Sequence, residues 1–201
     1  MKRGLNLILP CLVSLAPAVT FTNNPASFVA DDSIHWDQFG NGVSVPVGSY
    51  GTTTLGNPFI VLTDTLAIND TLYRGPATTG NTFDPVSVSF HLNVLVSAIG
   101  ADLIPTWSSF GYTVSMDVYT TTADYLGSVS QHYDAGTNSV FLGVIDTTSD
   151  IGIVTYTVGT DQPRVTSDFA IDPAMIRTPV PEPSALVVLA LGGLLLLRRK
   201  A

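Results

Sequence analysis

The sequence has few cysteine, lysine and glutamate residues, and each scarcity excludes a class of protein. Among 201 residues, Cys11 is the single cysteine, Glu182 is the single glutamate, and lysine occurs only as Lys2 and Lys200. A lone cysteine forms neither an intrachain disulfide nor a Cys/His zinc cluster. The residues that most often line exposed helix faces are nearly missing, whereas Thr, Ser, Val, Gly and Asp are abundant. This composition favours strands and turns over helices.

Positive charge is also scarce in the middle of the chain. Five of the eight basic residues lie at the two ends, which leaves Arg74, Arg164 and Arg177 against all sixteen acidic residues. Binding to nucleic acid or another anionic polymer requires clustered Lys and Arg, so this composition excludes such polymers as direct partners. The acidity is typical of a soluble secreted domain whose copies repel one another.

The N-terminal end has the features of a secretory signal peptide. The charged pair Lys2-Arg3 precedes an apolar stretch at residues 5–13, and Ala16-Pro17-Ala18 places small residues at the positions that signal peptidase recognises. These features predict a signal peptide over residues 1–18, with cleavage after Ala18. Cys11 lies inside it, so the mature chain would rely on its hydrophobic core without disulfides.

The C-terminal end combines a short motif, an apolar segment and a basic stop. Pro181-Glu182-Pro183 precedes an apolar run from Ala185 to Leu197, which is followed by Arg198-Arg199-Lys200. As a helix the run would be roughly 20 Å long, whereas a bilayer core is about 30 Å thick. The sequence therefore predicts a transmembrane helix over 185–197 that is too short for a permanent anchor and holds the chain in the membrane only temporarily. Its basic end is expected to lie in the cytoplasm.

This arrangement resembles the PEP-CTERM sorting signal of Gram-negative, exopolysaccharide-producing bacteria. The resemblance covers residues 179–201 and implies that an exosortase in the inner membrane recognises Pro181, Glu182 and Pro183 and cleaves nearby. It also implies that Arg198, Arg199 and Lys200 form the cytoplasmic stop. The protein would then be exported to the cell envelope, the cell surface or the extracellular matrix. A permanent C-terminal membrane anchor is the alternative.

Residues 19–178 are expected to form one all-β domain. Apolar and polar residues alternate over Asp84–Ile99, the pattern of a half-buried strand, and turn residues separate the other candidate strands. Short strands at regular spacing predict a β-sandwich or jelly-roll-like ectodomain between the signal peptide and the sorting helix. The remaining predicted strands are Phe59–Thr63, Thr65–Ile68, Tyr112–Val118, Tyr125–Tyr133, Ser139–Ile145 and Gly152–Val158.

Two further stretches border this domain. Residues 19–33 are predicted to be a loose leader or a first edge strand, and residues 159–178 are predicted to close the sandwich and lead into a linker. Short stretches such as Ser97–Asp102 resemble a pattern in the ectodomains of PEP-CTERM proteins, which implies a jelly-roll or galactose-binding-like sandwich.

The histidines offer one possible chemistry. His35-Trp36-Asp37 and His132-Tyr133-Asp134 share the order His, aromatic, Asp, and on a strand residues i and i+2 face the same side. Two such pairs brought together could bind Zn²⁺ or perform acid–base catalysis. The simpler interpretation, which we favour, is that both are strand ends leading into turns. His91 is expected on the polar, solvated face of its strand.

The aspartate-rich turns offer a second possible chemistry, the binding of calcium. Oxygen ligands for Ca²⁺ could come from Asp31-Asp32, from Asp64 with Asp70, or from Asp146 with Asp150. None of them has the spacing of a calcium-binding loop, and aspartate is an ordinary turn residue. We therefore predict no cofactor, and a structural calcium ion is the alternative.

Aromatic side chains offer a third possible chemistry, the binding of sugars. Trp36, Trp107, Tyr119 and Tyr133 could stack on sugar rings, although the interpretation that they belong to the core is favoured.

Together these features predict a non-enzymatic exported protein that is structural or adhesive within exopolysaccharide. A carbohydrate-binding module of the same fold is the first alternative, and a secreted hydrolase using Asp and His is the weaker one.

Overall fold

The computed structural model describes residues 19–27, 29–74, 85–106, 109–148, 150–160 and 169–179. Within these ranges, no helix is long and apolar enough to span a membrane. The predicted signal peptide, the PEP motif and the segment at 185–197 lie outside the described residues.

The described residues form two antiparallel sheets packed face to face, which confirms the predicted β-sandwich. The smaller sheet has six strands in the order β11-β10-β13-β8-β5-β4. Its strands are β4 (Tyr50–Thr52), β5 (Pro58–Val61), β8 (Val86–Val96), β10 (Tyr112–Tyr119), β11 (Tyr125–Tyr133) and β13 (Ile151–Thr160).

The larger sheet has nine strands, most of them short. Seven run in the order β1-β12-β9-β14-β7-β6-β3, while β15 pairs with both β9 and β2. Its strands are β1 (Val19–Thr22), β2 (Asp32–Ile34), β3 (Val43–Val45), β6 (Thr65–Ile68), β7 (Thr71–Arg74), β9 (Ala98–Pro105), β12 (Val140–Asp146), β14 (Phe169–Ile171) and β15 (Ala174–Arg177). Two 3₁₀ turns, Pro25–Ser27 and Trp36–Phe39, interrupt the strands.

The core lies between the sheets and is centred on aromatic rings. Trp36 is fully buried, and its ring meets those of Phe59 and Phe90 edge-on with centroids 5.9 Å away in each case. Its indole N–H donates a hydrogen bond of 3.1 Å to the backbone oxygen of Asp172, which satisfies its polar atom. Trp36 is therefore a core residue that joins the two sheets.

The long alternating strands lie where the sequence predicts them. The strand predicted over Asp84–Ile99 corresponds to β8, and it ends at Val96 because a new strand, β9, begins at Ala98. The predictions for β6, β10, β11 and β12 agree with the structure to within one residue, and those for β5 and β13 to within two. Residues 19–22 form an edge strand, one of the two predicted alternatives.

Strand β9 is a central strand that the alternation pattern does not reveal. Ala98, Ile99, Gly100 and Ala101 are all buried, so both faces of the strand are apolar. On its outer side the ring of Phe141 lies over Gly100, where an added Cβ would come within 2.4 Å of the ring and 3.0 Å of the Gly143 Cα. The glycine is needed for this close approach of ring to backbone.

The C-terminal part of the domain is built into the interior of the larger sheet. Strand β15 pairs with β9 on one side and β2 on the other. Just beyond it, Thr178 donates hydrogen bonds of 2.8 Å from its backbone N–H and its hydroxyl to the carboxylate of Asp31. The folded unit therefore extends to Thr178.

Candidate functional site

The outer face of the six-stranded sheet carries ordered rows of polar and aromatic side chains. Along β8, β10 and β13, inward residues are buried while outward residues are partly exposed. Because residues paired directly across antiparallel strands point to the same face, the register of pairing groups the outward side chains into rows that run across the strands.

One row crosses all six strands and has tyrosines at both ends, and we call it the tyrosine row. Tyr125 pairs with Tyr119, whose ring lies 5.5 Å away between centroids, and Tyr50 closes the opposite end. The end rings are well exposed, at 60% for Tyr125 and 71% for Tyr50. In strand order the row is Tyr125, Tyr119, Ile153, His91, Ile60 and Tyr50.

Two rows of mostly hydroxyl-bearing side chains run parallel to the tyrosine row on one of its sides, and we call them the hydroxyl rows. Within them Ser89 and Thr155 share a hydrogen bond of 2.8 Å, and so do Ser87 and Thr157. Each hydroxyl can both donate and accept, so the rows keep hydrogen-bonding capacity toward the outside. The nearer row is Ser128, Asp117, Thr155 and Ser89, and the farther row is Ser130, Ser115, Thr157 and Ser87.

The face is poor in charge. Asp117 is the acidic residue of these rows, and both arginines of the described part, Arg74 and Arg177, belong to strands of the larger sheet. His91 lies on this face as predicted, but it is half-buried, and its Nε2 atom is covered and makes no hydrogen bond within the described residues. Its imidazole is therefore packed into the row rather than fully solvated, which corrects that expectation.

The four aromatics singled out in the sequence have different fates. Trp36 is in the core, and Trp107 lies outside the described residues. Tyr133 faces inward and stacks on Tyr112 with centroids 5.6 Å apart, and burial together with this neighbour raises the pKa of Tyr112 to about 12. Of the three that the structure describes, Tyr119 is the one on the outer face.

Two of the residues that complete this face are not evident from the sequence. Tyr125 and Tyr50 become neighbours of the row only through strand pairing, and the register of β10 with β11 shifts between Val118 and Tyr119. The signal available in the sequence was the alternation of Ser128, Ser130 and His132, which indicates an outward face on β11.

The two His-aromatic-Asp segments do not form a common site. His35 lies before the 3₁₀ turn rather than on a strand, and its Nδ1 meets the Oδ2 of Asp70 at 2.7 Å. His132 and Asp134 approach only to 3.9 Å, and both are exposed. Within the described ranges, the group of three residues with metal-ligand atoms close together is His35, Asp37 and Asp70.

Asp70 acts as a cap supplied from another part of the chain. Its Oδ1 accepts hydrogen bonds from the backbone N–H groups of Trp36, at 2.6 Å, and Asp37, at 3.1 Å. Burial disfavours its charged form, but the hydrogen bond from His35 and those two N–H groups outweigh burial and lower the pKa of the Asp70 carboxyl. These contacts account for Asp70 as a structural residue that fixes the turn containing Trp36.

Asp32 plays a similar part at the β4–β5 hairpin. The carboxylate is 4% exposed and accepts hydrogen bonds from the backbone N–H of Leu55, the hydroxyl of Thr53 and the amide of Asn57. Burial alone would raise its pKa, but these donors and the Ser33 N–H together lower the pKa of Asp32. One buried carboxylate therefore holds the hairpin loop against β2.

The remaining candidates for calcium ligands are engaged in the same way. Asp64 accepts from the backbone N–H of Val47, and Asp146 accepts from the N–H groups of Thr148 and Asp150 and from the Thr148 hydroxyl. These contacts are those of aspartates that stabilise turns.

A cleft of about 300 Å³ opens between the edge strands of the two sheets. It lies where β1 and β11 approach each other, and it has mixed apolar and amide walls. Its lining consists of Phe21, Thr22, Asn23, Val129, Gln131 and Leu142. These described lining residues include no titratable side chain.

Comparisons with known proteins give no family. A scan against family models finds no match, and a search of curated proteins finds none. Among solved structures, a mutant of a family 29 carbohydrate-binding module is 12% identical with a TM-score of 0.38, covering 82% of this chain and 99% of its own.

Two other solved structures are similarly distant. A DUF4465 family protein from Bacteroides caccae is 10% identical with a TM-score of 0.38, covering 83% of this chain and 96% of its own. A family 28 module described as specific for non-crystalline cellulose is 7% identical with a TM-score of 0.31, covering 59% and 79%. Similarity at this level assigns neither a family nor a ligand.

Proposed function

We propose that the sandwich is a non-catalytic domain that binds polysaccharide through the outer face of its six-stranded sheet. The observation that supports this is the tyrosine row beside the hydroxyl rows. Aromatic rings stack on the apolar faces of sugar rings, and adjacent hydroxyls exchange hydrogen bonds with sugar hydroxyls. The alternative that we raised from the sequence, a carbohydrate-binding module, thus becomes the leading proposal.

Affinity electrophoresis of the full-length protein in gels containing soluble polysaccharide tests the proposal. The wild-type protein should be retarded, and the double substitution Tyr119→Ala and Tyr125→Ala should weaken binding at least tenfold, which corresponds to about 1.4 kcal/mol. Tyr119→Phe with Tyr125→Phe keeps both ring faces and should keep binding. If the alanine variant is folded and equally retarded, this face is not the binding site.

The same domain is proposed to be non-enzymatic. His35 is paired with Asp70, which caps a turn. The Thr113 hydroxyl lies 3.5 Å from Nδ1 of His132, and the Asp134 carboxylate lies 3.9 Å from its Nε2. Both contacts are longer than the reach of about 2.6–3.2 Å that is usual between a nucleophile, its base and the orienting group. Incubation of the protein with the polysaccharide that it retains should release no reducing ends. Release that is lost on replacing His35 or His132 would support the hydrolase alternative.

For the ends of the chain we propose export followed by C-terminal sorting. The resemblance of residues 179–201 to the PEP-CTERM signal supports an exosortase and the inner membrane as transient partners, with the envelope, the cell surface or the extracellular matrix as the destination. A polysaccharide-binding domain is consistent with that destination, because sorting would deliver it to exopolysaccharide.

The sorting proposal has its own test. Replacing Pro181, Glu182 and Pro183 with alanine should leave the full-length precursor in the membrane fraction, whereas the wild-type protein should lose its C-terminal segment. Mass spectrometry of both termini measures this and also locates the cut predicted after Ala18. An intact C-terminus in the mature wild-type protein would instead support a permanent anchor.

A further inference from the structure

We infer that the ligand of the proposed site is a linear, uncharged polysaccharide that lies across the strands, with Tyr125 and Tyr50 as the two ends of its binding line. This inference rests on the proposed function. It adds the chemical class of the ligand, the direction in which the ligand lies on the sheet, and the residues that make the affinity depend on ligand length.

The direction follows from the register. The tyrosine row runs perpendicular to the strands and includes one residue from each of the six. Neighbouring strands are 4.7–4.9 Å apart, so five intervals make the row about 24 Å long. A row of this length has room for several sugar units, whereas a single sugar would reach only one end of it.

The arrangement of side chains makes the binding line asymmetric. The larger side chains stand in one row, and the hydroxyl rows lie on one of its sides. A chain of sugars above the tyrosine row can therefore stack on its rings and direct hydroxyl groups toward Ser89 and Thr155. The face repeats along the direction of an extended chain, because each of the six strands adds one residue to the tyrosine row and four of them add one to each hydroxyl row.

The charge of the face favours a neutral ligand. Asp117 lies in the nearer hydroxyl row, and the described arginines belong to the other sheet. A uronic acid or sulfated polymer would meet the Asp117 carboxylate, with no arginine or lysine among the described residues of this face to balance it, within a chain of formal net charge −8. An uncharged polymer meets no such repulsion, and Asp117 remains available as a hydrogen-bond acceptor.

The two ends of the row are expected to contribute at different ligand lengths. Tyr119 and Tyr125 form one aromatic pair, while Tyr50 stands alone on the edge strand at the other end of the sheet. A short oligosaccharide is expected to occupy the paired end, where two rings are adjacent. A longer one would also reach Tyr50, so affinity should rise with length until the row is covered.

The experiment uses the full-length protein with a panel of β-1,4-glucan, β-1,3-glucan, β-1,4-mannan and the acidic polymers alginate and polygalacturonate. Oligosaccharides of increasing length, prepared from the neutral polymer that is retained, are then titrated by calorimetry. We expect retention by a neutral polymer, a Kd that falls at least tenfold from the disaccharide to the longest oligosaccharide, and a plateau once the row is spanned.

Single substitutions then assign the ends. Tyr50→Ala should abolish the gain with length and leave the affinity for the shortest ligand unchanged, whereas Tyr50→Phe should preserve the gain. Leu55→Ala is the matched control, because Leu55 is exposed in the loop of the same hairpin but lies off the row. The melting temperature of each variant confirms that it is folded.

The outcomes separate the two proposals. If no polymer is retained, the proposed function fails, and this inference fails with it. If a polymer is retained through Tyr119 and Tyr125 but affinity does not depend on length or on Tyr50, the function stands and the cross-strand line is wrong. Preferential retention by alginate or polygalacturonate would overturn the assignment of an uncharged ligand.

Discussion

Asp32 in the nine-stranded sheet and Ser115 in the six-stranded sheet are both polar residues on strands, but the side chain of Asp32 is buried and that of Ser115 faces outward. The Asp32 carboxylate is buried and accepts hydrogen bonds from the hairpin loop. The Ser115 hydroxyl faces outward in a row of similar groups. The Asp32 carboxylate therefore holds the fold together, whereas the Ser115 hydroxyl belongs to the face that we propose binds polysaccharide.

The sharpest test of this comparison removes the Asp32 carboxylate. Asp32→Ala leaves the donors of Leu55, Thr53 and Asn57 without their acceptor in a buried site, and we expect a loss of about 3–5 kcal/mol in the free energy of unfolding. Urea denaturation measures it. Asp134→Ala, at a fully exposed carboxylate, should change stability by less than about 0.5 kcal/mol. Equal effects of the two substitutions would contradict the comparison.

A second test concerns the packing of the larger sheet. An alanine Cβ at Gly100 would collide with the Phe141 ring and with the backbone at Gly143. We expect Gly100→Ala to destabilise the protein by about 1–3 kcal/mol, the usual range for overpacking. Gly136→Ala would be a poor control because its φ is +95°, so Ser115→Ala is the better comparison. A melting temperature that is unchanged by Gly100→Ala would show that the Phe141 ring moves aside without a loss of stability.

Acid should weaken the larger sheet first. The pKa values of Asp32 and Asp70 are lowered in the folded protein, so their stabilising contribution is present above the ordinary aspartate pKa of about 3.9 and is lost as the pH falls through the lower folded values. We expect stability to decline below about pH 4. Asp70→Asn should flatten that decline, as followed by the melting temperature between pH 2 and pH 6.

A substitution on the outer face of the smaller sheet should lower the affinity for the ligand and leave stability nearly unchanged. Ser128→Ala removes an exposed hydroxyl from the nearer hydroxyl row, and we expect less than about 0.5 kcal/mol of change in stability. The affinity for the retained polysaccharide should fall by about threefold to tenfold, since each lost hydrogen bond contributes about 0.5–1.5 kcal/mol. Stability is measured by urea denaturation and affinity by calorimetry. A loss of stability without a loss of affinity would place this hydroxyl among the structural groups.

The smallest expected effect is a gain in stability. Burial, the nearby Asp102 carboxylate and the more distant Asp70 carboxylate raise the pKa of Asp172, so its charged form opposes folding at neutral pH. Asp172→Asn should therefore raise the melting temperature slightly at pH 7. The advantage should disappear below the unfolded pKa, where the wild-type side chain is protonated in both states. A lower melting temperature at pH 7 would mean that the carboxylate is needed by the Thr71 hydroxyl.

How much the sequence predicts depends on how each strand is buried. β8, β10 and β11 show alternation because one face meets the core and the other is exposed, so their existence and faces could be predicted. The first half of β9 is buried on both faces, and β2, β3 and β4 have three residues each, too few for a periodic pattern.

The candidate site required pairing as well as alternation. Tyr119 could be named from the sequence, but its neighbours on the row are up to 69 positions away and are joined only by the register of six strands. Trp36 had the chemistry for sugar stacking, but it lies in the core because Asp70 caps the turn that carries it. Long-range hydrogen bonds of this kind leave no local pattern in a sequence.

The position of Thr178 has a mechanical consequence. Thr178 comes directly after β15, which is hydrogen-bonded to β9 and β2, and Thr178 itself is hydrogen-bonded to Asp31. A pull on the C-terminal segment would therefore reach an interior strand rather than a loose edge. Two ladders and the Asp31 contacts must then rupture together, so tension on the tail loads the whole nine-stranded sheet before any strand peels away.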